Sequence, residues 1–297
     1  GEVLVDIRAT ALNRADLLQL RGLYPPPPGE SEVPGLECAG VVEALGPDVE
    51  GAAVGDRVMA LLAGGGHAEK VAVPVGQLMP IPEGWSFAEA AAVPEVAITA
   101  WTNLVFEGGL QSGETVLIVA AASGVGSFAV QLARELDARV LAAGRSLERL
   151  EKLRPVGADA CVQLGDGLVG QVRELTDGRG VDLIVDLAGG DGLGRRMKAL
   201  RRRGRAVLVG ILAGSKSTLD LSDVLRRRLR LTGSVLRSRP RAEKARLISD
   251  FSAFAEARFA DGRLRPVVDR TYPFERIADA YADLERGGVL GKVVLTR

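Results

Sequence analysis

At 297 residues the chain is long enough to bury a sizeable core and to form two domains. Its 38 Lys and Arg are balanced by 38 Asp and Glu, which removes the electrostatic case for nucleic acid or an anionic membrane as the main partner. Two distant cysteines, Cys38 and Cys161, and a single histidine, His67, exclude a disulfide framework, a four-cysteine zinc lobe and an ordinary catalytic zinc cage. The unpaired thiols fit a reducing, cytoplasmic setting. No apolar run reaches the roughly 18 residues of a membrane span, and no secretory signal is visible. The chain opens directly on a strand pattern, GEVLVDIRA, so an upstream piece is expected to be missing.

In chain order, residues 1–95 carry short Val-rich runs separated by turn signals. The runs are EVLVDIRA, AGVVEAL, GDRVMALL and AEKVAVP; PPPPGE and GGGH are among the separators. Short strands punctuated in this way predict a compact, mainly β domain. The proline run lies between strands and is read as a loop. From about Ala97 apolar runs alternate with helix-length segments. ETVLIVAA leads into VGSFAVQLARELD, ARVLAAG into SLERLEKLR, and DACVQL into GLVGQVRELTD. VDLIVDLAG leads into GLGRRMKALRR, RAVLVGIL into DLSDVLRRRL, and RLTGSVL follows. Six nearly continuous apolar strands with crossovers predict a doubly wound parallel sheet covered on both faces. LRRRGR, Leu200 to Arg205, is read as a solvated helix end rather than a binding patch. The last block starts with the helical pattern RAEKARLISDFSAFAEARFADG. Its two closing strands are expected to complete the first domain.

The first apolar strand of the sheet runs into AAASGVGSFA, Ala120 to Ala129. Gly-x-Gly-x-x-Ala is weak alone, but strand-before and helix-after is the placement that a dinucleotide turn requires. Gly124 permits the tight turn, Gly126 lets the backbone approach a pyrophosphate, and Ala129 is small enough to pack helix on strand. Ser123, Gly124, Val125 and Gly126 then face the phosphates with backbone N–H groups at a positive helix end. About twenty residues later an NAD site would carry an acid for the ribose hydroxyls. Here the strand ends in Gly144, Arg145 and Ser146, with Arg149 one turn on. Two guanidinium groups and a hydroxyl suit a 2′-phosphate, so NADPH is expected over NADH.

Taken together, ALNRADLLQLRGLYPPPPG, VPGLECAGVVEALG, GDRVMALLAGGGHAEKVAVP, LMPIPEGWSFAEAAAVPEVAITAW, AASGVG, GSVLRSR and GKVVL resemble one family along the whole chain. It is the zeta-crystallin-like quinone oxidoreductases of the medium-chain dehydrogenase/reductase superfamily. The resemblance implies a GroES-like β domain (1–95 and 261–297) around a Rossmann NADP-binding domain (96–260) with a six-stranded parallel sheet. Relative to typical members, about one N-terminal β-hairpin is missing. Where zinc members carry Cys and His, this chain has Asn13, Asp16 and Leu36, which implies a zinc-free reductase. His67 is then a loop residue and not an acid–base group.

The resemblance further implies that Asn13 and Tyr24 line the substrate side and that Ser123 serves both the cofactor turn and the chemistry. It places Gly210, Leu212 and Lys292 near the cofactor. Leu164 stands where the family often has a Tyr flanking the adenosine phosphate. The expected reaction is hydride transfer from NADPH to a quinone, with solvent supplying the proton, because no dedicated general acid is evident. An enone, 2-alkenal or enoyl-thioester reductase is the alternative, and a non-catalytic NADPH-binding protein the further one. The partners implied are a small-molecule quinone or enone and a second copy of the chain in a homodimer.

Overall fold

The computed structural model describes residues 1–297. Its contacts divide the chain into two units, Gly1–Ile98 with Leu236–Arg297, and Thr99–Val235.

In the first unit, β1 (Glu2–Ala11) sends Val3, Val5 and Ile7 inward while the residues between them stay partly exposed. That period of two is what a half-buried strand needs. After β1 come α1 (Arg14–Leu20), β2 (Glu37–Leu45), β3 (Arg57–Leu61), β4 (Lys70–Pro74), β5 (Leu78–Pro80), α2 (Phe87–Ala91) and α3 (Pro94–Trp101), the last of which runs on into the second unit after Ile98. Ser86 caps α2: its hydroxyl oxygen accepts from the Glu89 N–H, and its own backbone N–H donates to the Glu89 carboxylate. The unit closes with β12 (Val268–Pro273), α10 (Ile277–Arg286) and β13 (Lys292–Thr296). The sheet runs β12-β13-β1-β2-β3-β5, with β4 also paired to β1. The two C-terminal strands do return: β13 lies antiparallel on β1, with Ala9 opposite Thr296 and Ala11 opposite Val294. Val3, Val5, Ile7, Val42, Val58 and Val73 fill the core, each contributing about 1.5–3 kcal/mol by burial.

The expected boundary at residue 260 moves. Helix α9 (Arg241–Ala260) packs on Val75–Gln77 and β5 and belongs to the first unit. The cause is local. Gly76 has no side chain, and a Cβ there would lie 2.8 Å from that of Ala245. Farther along, Phe259 meets Trp85 edge-on at 5.1 Å and Phe251 at 5.9 Å. The helical pattern of α9 was legible; the surface it would cover was not.

The second unit alternates strand and helix. Its elements are β6 (Thr115–Val119), α4 (Gly124–Glu135), β7 (Arg139–Gly144), α5 (Leu147–Glu151), β8 (Ala160–Gln163) and α6 (Leu168–Leu175). They continue with β9 (Val181–Asp186), α7 (Gly192–Met197), β10 (Leu200–Leu208), α8 (Leu221–Arg227) and β11 (Arg230–Gly233). The sheet order is β11-β10-β9-β6-β7-β8, and every pairing is parallel. This is the doubly wound Rossmann order, whose switch point lies between β6 and β9. Both strands are buried along their whole length, as helices on both faces require.

LRRRGR is not a helix end. α7 stops at Met197, and Leu200 opens β10, where pairing with β9 breaks between Leu200 and Arg205 and Arg203 takes φ 63°. Two of its four arginines are drawn down by neighbouring acids and carbonyls, while Arg202 and Arg203 stay exposed. Arg201 pairs with Asp182, and Arg205 with Glu114 and with the Gly109 carbonyl at 2.8 Å.

Candidate active site

In the second unit the turn after β6 starts with Ala120 at φ 60° and ends at Ser123, the N-cap of α4. The Ser123 hydroxyl oxygen accepts from the Gly126 N–H at 3.1 Å, and its own proton is left to donate. The N–H groups of Gly124 and Val125 fall in the first turn of α4, where no intrahelical acceptor exists. Ala122 to Val125 are half-buried, so this row of donors is open to a ligand. Gly126 has a sharper reason than expected. A Cβ there would lie 2.4 Å from the Ala120 carbonyl oxygen and 2.6 Å from the Ala121 Cα. The glycine lets helix meet strand and so creates the turn, while Ala129 is fully buried behind it.

At the end of β7, Gly144 is buried against Leu150, whose Cδ2 would be 3.0 Å from an added Cβ. Arg145 is exposed and Arg149 half-buried, and neither has an acidic partner. Ser146 caps α5 by accepting from the Arg149 N–H at 3.4 Å. Glu148 pairs with Lys152 on its own helix at 3.6 Å and stays outside this corner. The residues present fit a dinucleotide: free N–H groups at a helix start, then two uncommitted guanidinium groups where an acid would stand for NAD.

The strand across the switch point ends in Asp186, which the sequence reading passed over. It is fully buried, accepts from the Ala188 and Gly189 N–H groups at 2.9 Å, and pairs with Arg196 at 2.6 Å. Gly189 and Gly190 follow at φ 65° and 66°. Gly210 crosses close by, where a Cβ would sit 2.6 Å from the Leu187 carbonyl oxygen. The Ala213 N–H donates to Ala188 at 2.8 Å and ties the two loops together. Leu212 is 54% exposed at the tip. An acid followed by glycines was the available signal for Asp186, since a carboxylate capping a loop recruits neighbouring N–H groups.

The first unit holds a separate polar cluster. Asn13 caps α1, and its backbone N–H donates to Asp16 Oδ2 at 2.6 Å. Its side-chain amide donates to Glu37 Oε1 at 2.8 Å and Ala11 O at 3.3 Å, while Oδ1 accepts from Lys292 Nζ at 2.7 Å. Lys292 Nζ also donates to Leu12 O at 2.8 Å and Glu37 Oε1 at 2.6 Å. Glu37 Oε2 accepts from the Glu95 N–H at 2.9 Å. Burial pushes the Asp16 carboxyl up to about 6, against hydrogen bonds from Asn13 and Gly35 and the charge of Lys292.

Two expectations change here. Lys292 is not a surface lysine. It is 3% exposed, and its three donors serve three acceptors within the first unit. Both side-chain donors of Asn13 are likewise committed, so its structural task is to hold Glu37 and Lys292 in register. The cluster does not fit a zinc ion either. An ammonium group already neutralises Glu37, and no group of three or more His, Cys, Asp or Glu is placed to hold a metal.

Tyr24 is half-buried, and burial together with Glu95 pushes its hydroxyl up to about 12, so it stays a neutral donor. Arg237 holds it from below. Its guanidinium lies 5.1 Å from the Tyr24 ring centre and donates to the Tyr24 carbonyl at 3.0 Å, Ala63 O at 2.7 Å and Gln19 Oε1 at 2.7 Å. His67 shares a 2.8 Å hydrogen bond with the Tyr281 hydroxyl through Nδ1. Burial and the charge of Lys292 depress it to about 4, so it is neutral at pH 7. Glu37, Glu95 and Arg237 are not legible in the sequence because each joins its polar partners only when segments far apart in the chain are brought together.

Comparison with known proteins finds two family matches along the chain. The zinc-binding dehydrogenase model matches residues 124–253, and the alcohol dehydrogenase GroES-like model matches residues 1–83. The synaptic vesicle membrane protein VAT-1 homolog of Homo sapiens is 33% identical, over 99% of this chain and 79% of its own. The spectinabilin polyketide synthase system protein NorB of Streptomyces orinoci is 37% identical over all of this chain, which spans 13% of it. The quinone oxidoreductase of Thermus thermophilus, solved also as its complex with NADPH, is 32% identical with a TM-score of 0.84, covering 100% of this chain and 92% of that one. An NAD-dependent alcohol dehydrogenase is 34% identical with a TM-score of 0.88, covering 100% and 92%. No helix is long and apolar enough to cross a membrane.

Proposed function

The chain belongs to the medium-chain dehydrogenase/reductase superfamily, in its quinone-oxidoreductase-like branch, and from that premise we propose that it is a zinc-independent NADPH:quinone oxidoreductase. The observation that carries the cofactor is the β7 corner, where Arg145 and Arg149 stand free of any acid. In this reading Ser123 to Gly126 hold the pyrophosphate, Arg145, Ser146 and Arg149 the 2′-phosphate, and Gly210 and Leu212 border the nicotinamide side. Bound NADPH supplies a hydride, and the protein supplies orientation and charge stabilisation. Tyr24, neutral and steadied by Arg237, donates a hydrogen bond to the acceptor oxygen. Asn13 keeps the Glu37–Lys292 pair in place behind it.

The second reading is a reductase of enones, 2-alkenals or enoyl thioesters, favoured by the match within a polyketide synthase system protein. A non-catalytic NADPH-binding role is the third. One panel separates them: oxidation of NADPH and of NADH is followed with ortho-quinones, para-quinones, 2-alkenals and an enoyl thioester. Quinone turnover with NADPH is expected. Turnover of the enoyl thioester alone selects the second reading, and tight NADPH binding without turnover the third. We further propose a cytoplasmic homodimer paired through the edge strand β11, whose four residues are all exposed, as are Leu221 and Leu225 of α8. Sedimentation of the wild type against Leu225→Glu tests it, with a shift to monomer expected.

A further inference from the structure

The acids of the first-unit cluster differ in one respect. Asp16 accepts from the Asn13 and Gly35 N–H groups, and Glu37 accepts from Asn13, Lys292 and Glu95. The Glu95 carboxyl accepts nothing and forms no ion pair, although its backbone is pinned to Glu37 in the first turn of α3. Lys292, whose charge acts on Glu95, has spent all three donors elsewhere. Glu95 is half-buried, so its carboxyl is enclosed enough to be poorly hydrated and open enough to exchange a proton. Tyr24 is within its electrostatic reach.

We propose that Glu95 is a catalytic acid, which delivers to the acceptor held by Tyr24 the proton that completes its reduction. This rests on the oxidoreductase reading above. The hydride brings two electrons and leaves the acceptor oxygen as an oxyanion. The O–H bond of Glu95 then breaks as an O–H bond forms on that oxygen, and the carboxylate left behind is reprotonated by water. Such an acid must hold its proton near neutral pH, and the surroundings arrange this. Burial and the adjacent Glu37 carboxylate, with a smaller push from Asp16, raise Glu95 to about 8, against Lys292 from β13 and Lys244 from α9. Arg237 also faces this group. The pull of a helix N-terminus is overridden.

The test uses the full chain as wild type, Glu95→Gln and Glu95→Asp. Acceptor reduction is measured under saturating NADPH from pH 5.5 to 9.5, and NADPH affinity by fluorescence. The carboxyl itself is titrated by carbon NMR of side-chain-labelled glutamate. Expected are a loss of kcat of about a hundredfold or more in Glu95→Gln, a smaller loss in Glu95→Asp, and NADPH affinity unchanged within about twofold. The loss should shrink for acceptors whose reduced oxygen is more acidic. In the wild-type spectrum one glutamate resonance should titrate well above the ordinary range and vanish in Glu95→Gln. A wild-type kcat and pH profile in Glu95→Gln overturns the proposal. So does an ordinary titration of Glu95, or an equal loss in both variants across all acceptors. A wild type that binds NADPH but reduces nothing overturns the oxidoreductase reading itself, a result distinct from all of these.

Discussion

The two units build their candidate sites by opposite means. In the second unit the turn at Ser123–Gly126 is made of backbone: small residues let α4 approach β6, and the ligand would be met by main-chain N–H groups. In the first unit the cluster is made of polar and ionisable side chains, residues 13, 16, 37, 95, 237 and 292, drawn from distant parts of the chain. A backbone site tolerates few changes of size but little depends on any one charge. A charge cluster depends on every partner, because each lost counter-ion leaves an uncompensated buried group.

The largest effect expected is on the charge side. Lys292→Met leaves Glu37 buried without its cation and should cost about 3–5 kcal/mol in urea unfolding. Adding Glu37→Gln to it should recover much of that loss, because the variant then has no lone charge to bury. If the single variant unfolds like wild type, the contrast between the units breaks.

On the backbone side, Gly126→Ala drives a Cβ into the Ala120 carbonyl and should cost about 1–3 kcal/mol of thermal stability, with loss of NADPH binding. Retained stability with lost binding would instead make Gly126 a ligand contact alone. Next, Arg145→Ala and Arg149→Ala should each weaken NADPH about tenfold, some 1.4 kcal/mol, while leaving NADH and stability unchanged. Equal loss for both nucleotides would remove the 2′-phosphate assignment.

The smallest effect is a slope of stability with pH. Glu95 binds its proton more tightly folded than unfolded, so its contribution is present below its ordinary 4.5 and is lost as pH rises through about 8. Asp16 acts in the same sense between its ordinary 3.8 and about 6. His67, lowered to about 4, acts oppositely, adding stability up to 6.5. Of these three groups only Glu95 changes between pH 6.5 and 8. Stability should therefore fall across that window in the wild type and flatten in Glu95→Gln, as measured by chemical unfolding at each pH.

How much of this was legible follows the same division. Six strands, their crossovers and the turn at AAASGVGSFA could be read because apolar period, glycine and cap residues act within a few positions of one another. The place of Arg145, Ser146 and Arg149 at the end of β7 could be read because their distance from the turn is set by one helix and one strand. LRRRGR was misread because helix and strand share that composition, and Asp182 and Glu114, which settle it, lie on other strands. Asn13 was read as lining the substrate side, because the partners that commit its side chain, Glu37 and Lys292, are 24 and 279 positions away.

By itself, then, the sequence determined the two-unit architecture, the dinucleotide turn and the missing acid after β7, because each is written in local spacing and residue size. Only the tertiary structure decided that α9 belongs to the first unit, that Lys292 is a buried counter-ion and that the Glu95 carboxyl is left unpaired. Those depend on which charges are brought together without water, and in a low-dielectric interior the interaction of charges is fixed by separation in space and not by separation along the chain.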